Sequence, residues 1–270
     1  MNEVVSGPAA QPYFADIVSF FGEQRLQSPA KAAQLNQLAT SNTALNNTFI
    51  DDDTLKNEPD TNNAAGYYEQ IIFQKRIIPT RFNWHDTFNA MMWMLFPKTK
   101  TALNQLHCED IEQYGLHPRT RRRNRITHFD ECGGIIVYED AAMLDALQNH
   151  RWKEAFIDRR SEWWQHLRYY IFGHALYEML LQPHIGLTGK FLALQVDNNF
   201  WQQSLQAQYH QLDEHLHSVA TGTDIFASQQ RIHPLPLLGI PGWHERNSEP
   251  EFYDNTDYFR PRHNALKNNK

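Results

Sequence analysis

The chain has 270 residues, enough for one large domain or two small ones with a substantial buried core. Hydrophobic residues at 41% and aromatics at 13%, with seven Trp and sixteen Phe, exclude a disordered polymer. A net charge of -6 and a pI near 6.1 argue against a dedicated nucleic-acid binder, whose domain is normally basic.

Cys108 and Cys132 are the only cysteines and form no CxxC pair, a usage that fits a reducing compartment. The opening "MNEVVSGPAAQPYFADIV" lacks a basic segment followed by a long apolar run, so no signal peptide is expected. The longest apolar stretches fall short of the roughly 18 residues that a membrane span needs. These features predict a soluble cytoplasmic protein with no membrane contact.

In chain order, residues 1–12 read as loose. "PYFADIVSFFGEQ" and "PAKAAQLNQLA" read as short helices, and residues 41–65 as an Asn/Thr/Asp-rich linker whose "TFI" suits a short strand. Residues 1–65 are thus expected to be a polar N-terminal extension, 66–262 a single globular domain, and 263–270 a loose tail. "YYEQIIFQKRII" is a helix that "PTRFN" ends, because proline disfavours helical geometry in the residue before it. Asn83 caps a helix over "WHDTFNAMMWML", and Pro97 opens the next, "PKTKTALNQLHCEDIEQYG".

"RITHFDECGGIIVY" reads as two strands around a "DECGG" turn, a hairpin near residues 126–138. "DAAMLDALQNHRW", "SEWWQHLRYYIFGHALYEMLLQ" and "FWQQSLQAQYHQLDEHLHSV" read as helices, and "KFLALQV" as a strand or a helix start. The Pro-rich end, "HPLPLLGIPGW" through "FYDNTDYFRPR", is expected to strap the body in extended form. The predicted fold is therefore α+β, mainly helical, with a small antiparallel sheet around the hairpin.

The ordered set "YYEQIIFQKRIIPTR", "NWHDTFNAMMWMLFPKTKTALNQLH", "THFDECGG", "FGHALYE", "LPLLGIPGW" and "FYDNTDYFRPR" resembles the bacterial family known as domain of unknown function 3025, over about residues 66–262. The resemblance implies a bacterial origin and a single homologous unit. It brings no activity with it.

The chemistry must come from the residues. On a helical wheel, His85 shares its face with Met92, Phe96 and Asn89, and Asp86 lies at the edge of that stripe near Trp93. His174 and Glu178, four residues apart, centre another apolar face with Tyr170 beside them. A buried imidazole or amide without partners costs on the order of 1 to 3 kcal/mol, and a buried carboxylate costs more, so these groups require something to meet.

One answer is a pocket between the two helices. In it His85, Asp86, His174 and Glu178 would ligate a divalent metal that activates water for hydrolysis, with Glu178 or Asp130 as ligand or general base. Without a metal, His174 oriented by Glu178 would serve as base. Asn89, Trp93, Tyr170 and Lys190, the last near His184, are the candidate substrate contacts of a small-molecule ligand. A separation of roughly 3 to 5 Å between the ring nitrogens of His85 and His174 would fit a common site.

The alternative is a structural His/Glu network in a non-catalytic interaction protein. Its arginine run, Arg119 to Arg125 in "RTRRRNR", would then dock an acidic protein or RNA. "DECGG" equally suits a plain turn, and His210, Asp213, Glu214 and His217 read as an exposed helix face.

Overall fold

A computed structural model describes residues 7–42, 45–56, 67–222, 225–226 and 232–262. The expectations for residues 1–6, for 57–66 of the linker and for the tail 263–270 lie outside these. The described fold is mainly helical α+β with two small sheets. No helix among the described residues is long and apolar enough to cross a membrane.

Helices α1 (Ala15–Phe21) and α2 (Ala32–Asn42) precede β1 (Thr48–Asp51), the strand expected at "TFI". A short helix α3 (Asp52–Lys56) follows within the segment expected to be linker. Helix α4 (Tyr68–Lys75) stops earlier than its apolar pattern suggested, with Arg76 in the left-handed region at φ 58°. That turn releases "IIPT" as β2 (Ile77–Thr80), which pairs in parallel with β1, Phe49 opposite Ile78. The N-terminal segment packs into the same hydrophobic core as the rest, with Phe14 stacked at 6.0 Å from Phe88 and 5.8 Å from Tyr177.

Helix α5 (Trp84–Leu95) starts at Asn83, whose side chain accepts the Asp86 backbone N–H at 2.7 Å. Every residue from Asp86 to Leu95 is buried, so α5 is enclosed on all sides rather than one-sided. Pro97 opens α6 (Pro97–Tyr114) as expected.

The expected hairpin is not there. Residues Arg121–Cys132 form helix α7, capped by Thr120, whose hydroxyl accepts from Arg123 N at 3.1 Å. Ile126 and Phe129, three residues apart, are its buried face, a helical spacing that the β-rich local composition concealed. Gly133 caps the helix, its N–H donating to the Phe129 carbonyl, and the position needs glycine because a Cβ there would lie 2.3 Å from that oxygen. The chain passes directly into β3 (Gly133–Tyr138), whose run "GGIIVY" is almost wholly buried, as a strand covered on both faces requires.

After α8 (Ala141–Gln148), the expected long helix over residues 161–182 is divided in two. "LRYYI" forms β4 (Leu167–Ile171), and only His174–Leu180 is helical, as α9. Gly173 makes the division: its N–H donates to the Gly133 carbonyl at 2.8 Å, and a Cβ would meet the Glu131 carbonyl oxygen at 2.3 Å. Only glycine lets the two segments approach so closely.

"KFLALQV" falls in β5 (Thr188–Gln195), followed by α10 (Asn198–Trp201), α11 (Leu205–Gly222) and β6 (His233–Pro236). The four-stranded sheet runs β4-β3-β5-β6. It is mixed, not antiparallel: β3 pairs antiparallel with β4 but parallel with β5, and β5 is antiparallel to β6. The Pro-rich end adds short 3-10 turns and buries Trp243, Phe252, Tyr253 and Phe259 against the body. Helix α5 packs on α9 and α6, and α7 on α9, so residues from four helices can converge.

Candidate active site

The site is a line of side chains crossing α5, α9, α7 and α6. The Glu178 Oε2 atom lies 2.9 Å from His85 Nδ1, and His85 Nε2 lies 3.0 Å from His174 Nε2. The His174 Nδ1 atom lies 3.7 Å from Asp130 Oδ2. Asp130 in turn receives Lys100 Nζ at 2.6 and 2.8 Å on its two oxygens. Lys100 also donates to Asn89 Oδ1 at 2.9 Å, and Asn89 Nδ2 donates to the Tyr68 hydroxyl at 3.0 Å.

The line is 43% exposed at the Glu178 side chain and 32% at His85, then 6% at His174, 23% at Asp130 and 4% at Lys100. It runs from solvent inward to a cavity of about 230 Å³ lined by His85, Asn89, Trp93, Lys100, Asp130 and His174, among others.

The hydrogens follow from chemistry. A carboxylate only accepts, so His85 Nδ1 carries a hydrogen toward Glu178. Two Nε2 atoms 3.0 Å apart hold one hydrogen between them. With His85 neutral that hydrogen sits on His174, leaving a lone pair on His174 Nδ1, which is buried beside Asp130.

Burial disfavours the charged imidazolium and pushes His174 down to about 3, and His107, farther along α6, down to about 4. Burial alone would raise Asp130, yet the Lys100 ammonium and the neighbouring imidazole overcome it and hold the carboxyl below its ordinary value. Desolvation raises both the Tyr68 phenol and the Glu69 carboxyl.

Of the expected metal ligands, His85, His174 and Glu178 fall on this line, and Asp86 does not. Asp86 is held by Arg81, whose backbone N and Nε donate to Oδ2 at 2.7 and 3.0 Å while Nη2 donates to Oδ1 at 2.9 Å. Glu178 faces the far nitrogen of His85. No group of three or more His, Cys, Asp or Glu among the described residues is arranged to hold a metal ion.

Of the candidate substrate contacts, Asn89 and Trp93 line the cavity, with Lys100 Nζ 5.4 Å from the Trp93 ring centre. Tyr170 and Lys190 do not. Tyr170 lies on β4 and donates to Gln208 Oε1 at 2.8 Å, and Lys190 lies on β5, where burial lowers its amine. Asp130 stands near the end of a helix, not at a strand turn.

Asp213, expected on an exposed face, is buried, and its carboxylate accepts the backbone N–H groups of Lys98 and Thr99 at 3.0 and 2.8 Å, capping the start of α6. The arginine run is largely committed inside the molecule. Arg119 donates to Thr127 Oγ1, Arg122 to Asp110, Arg123 to the Leu116 carbonyl and Arg125 to the Phe226 carbonyl, while Arg121 is exposed.

Lys100, Asn104 and His107 were missed, although α6 advertises them. They fall three and four residues apart with Leu103 and Ile111 along one buried stripe. Tyr68 and Glu69 on α4 carried no comparable signal, and neither did Arg81 in the loop before Asn83.

Residues 48–263, which contain every member of the line, match the family described as Protein of unknown function (DUF3025). The chain belongs to that family. The matched region begins at β1, ahead of the boundary expected near residue 66, and so takes in the β1–β2 pair that leads into Arg81 and α5. No curated protein and no solved structure matches this DUF3025 chain.

Proposed function

We propose that this DUF3025 protein is an acid–base enzyme, a hydrolase acting on a small polar molecule, in which His174 and His85 work as one base. The observation that carries the reading is the Nε2-to-Nε2 contact of 3.0 Å at the cavity wall, with a carboxylate on each outer side.

A proton taken from water or substrate by His174 Nδ1 displaces the shared hydrogen from His174 Nε2 to His85 Nε2. The positive charge then rests on His85 beside Glu178, and the new Nδ1–H points toward Asp130. His174, whose burial keeps it from holding charge, passes the charge to the ring that faces solvent. Reversal of the shift returns the proton to the leaving group, as general acid–base catalysis requires.

Asp86 and Glu178 are already engaged by Arg81 and His85, and this favours the imidazole pair over a metal held on His85, Asp86, His174 and Glu178. The internal partners of the arginine run give the interaction reading less support.

The test is a panel of small esters and amides. His174→Gln should lower turnover of any substrate by about 10²- to 10⁴-fold with the fold intact by circular dichroism. Glu178→Gln should give a smaller loss and a displaced pH profile. Turnover indifferent to His174, or turnover restored by a stoichiometric metal after chelation, would overturn the reading.

A further inference from the structure

The charged residues lining the cavity do not balance. Four carboxylates, Glu69, Asp86, Asp130 and Glu131, face two cations, Arg81 and Lys100. Both cations are taken, Arg81 by Asp86 and Lys100 by Asp130. Among the described residues, Glu131 has no side-chain hydrogen bond, and Glu69 accepts at Oε2 only, from Asn104 Nδ2 at 2.8 Å.

One helical turn beyond Asn104 stands His107, 3% exposed, lining the same cavity, with Nδ1 buried and unpartnered among the described residues. A neutral imidazole offers one lone pair, and the low value of about 4 keeps His107 neutral at ordinary pH. Among the lining residues the inner end therefore presents unspent acceptors and two cations that are both paired, while Arg119 and Arg123, behind the lining, reach Thr127 Oγ1 and the Leu116 carbonyl.

We propose that the cavity takes a small protonated amine, its ammonium received by Glu69 and His107 and its remainder directed toward His174. Three N–H donors on one positive charge match a carboxylate oxygen and an imidazole lone pair, and the Tyr68 ring adds a π face that favours a cation. An anion in the cavity would meet Glu69 and Glu131 while both lining cations are already paired. The burial that raises the Glu69 carboxyl is offset once a cation sits beside it, so binding and ionisation of Glu69 reinforce each other.

The inference rests on the cavity being the substrate site of the proposed enzyme, and the two are separable by experiment. Calorimetric titration of the full chain at pH 8 with n-butylamine and 1,4-diaminobutane should give saturable 1:1 binding, with butyrate and inorganic phosphate giving none. Glu69→Gln, which keeps an oxygen for Asn104, should weaken amine binding at least tenfold. Glu131→Gln, which removes the other unbonded carboxylate of the lining, should weaken it about threefold.

His174→Gln should leave amine affinity within twofold while removing turnover. Amine binding that is absent, unchanged by both glutamine variants, or weaker than phosphate binding overturns this inference alone. Amine binding as described, with turnover indifferent to His174, overturns the catalytic reading alone.

Discussion

Lys100 Nζ sits 2.6 and 2.8 Å from the two oxygens of Asp130, and its third donor reaches Asn89, so a lysine 4% exposed has every hydrogen used. The pair lies beside His174, and the Lys100 ammonium holds the Asp130 carboxyl below its ordinary value. Removing one partner strands the other. Lys100→Met should cost about 3 to 5 kcal/mol in urea unfolding, and Lys100→Met with Asp130→Asn should cost distinctly less than the single change. A single-variant cost below about 1 kcal/mol would mean that Asp130 is solvated.

The two buried histidines make stability depend on pH. Both are lowered from 6.5, His107 to about 4 and His174 to about 3, so between pH 6.5 and 4 the unfolded chain binds protons that the folded chain refuses. Stability contributed by each is present above 6.5 and is lost as pH falls toward its folded value, at a slope approaching about 1.4 kcal/mol per pH unit. Glu69, raised when folded, acts with the opposite sign above its ordinary value. The clean readout is a difference: unfolding of His107→Gln at pH 6.5 and at pH 4.5 should show a shallower loss than wild type. Parallel curves would place His107 in water.

Gly173 sets where α9 begins and therefore where His174 points. A methyl group there would lie 2.3 Å from the Glu131 carbonyl oxygen, a backbone atom that cannot swing aside. Gly173→Ala should destabilise by about 3 kcal/mol, at the upper end of overpacking costs, and should disturb the His174 imidazole signals. Thermal unfolding and NMR of the variant check this, and an unshifted melting curve would contradict it.

The N-cap of α5 offers a milder perturbation of the other histidine. Asn83→Ala removes the acceptor for the Asp86 N–H and should cost about 1 kcal/mol in chemical denaturation. It leaves the Arg81–Asp86 pair to hold the first turn. A cost beyond about 3 kcal/mol would show that the loop before α5, and not the cap alone, depends on Asn83.

Much of this site was legible because helical spacing survives errors in helix length. His174 and Glu178 lie on a real helix, and His85 and Asn89 on another, so the members of each pair share one side of their helix, although the Glu178 and His85 side chains stay partly exposed rather than buried in an apolar face. Tyr170 failed for the same reason reversed: it belongs to a strand that the wheel absorbed into α9, and Gly173, which separates them, is a tertiary constraint set by Glu131. Asp130 was singled out but set in a turn, because "THFD" is poor in strong helix formers and the capping by Thr120 was not recognised.

The pairing itself was not legible. Glu178 bonds the histidine of the other helix rather than its own neighbour His174, a choice made by the packing of α5 on α9. Lys100 was hidden by the habit of reading lysine outward, although its stripe with Leu103 and His107 was in plain view.

The most direct test of the central claim is the protonation of the imidazole pair, read by long-range ¹H–¹⁵N correlation NMR of histidine-labelled protein between pH 8 and pH 4.5. The account predicts that His174 keeps one hydrogen on Nε2 and a bare Nδ1 near neutral pH, never titrating as an ordinary imidazole near 6.5, and that its shifts change on His85→Ala. A His174 that titrates near 6.5 with the same shifts in wild type and His85→Ala would contradict it.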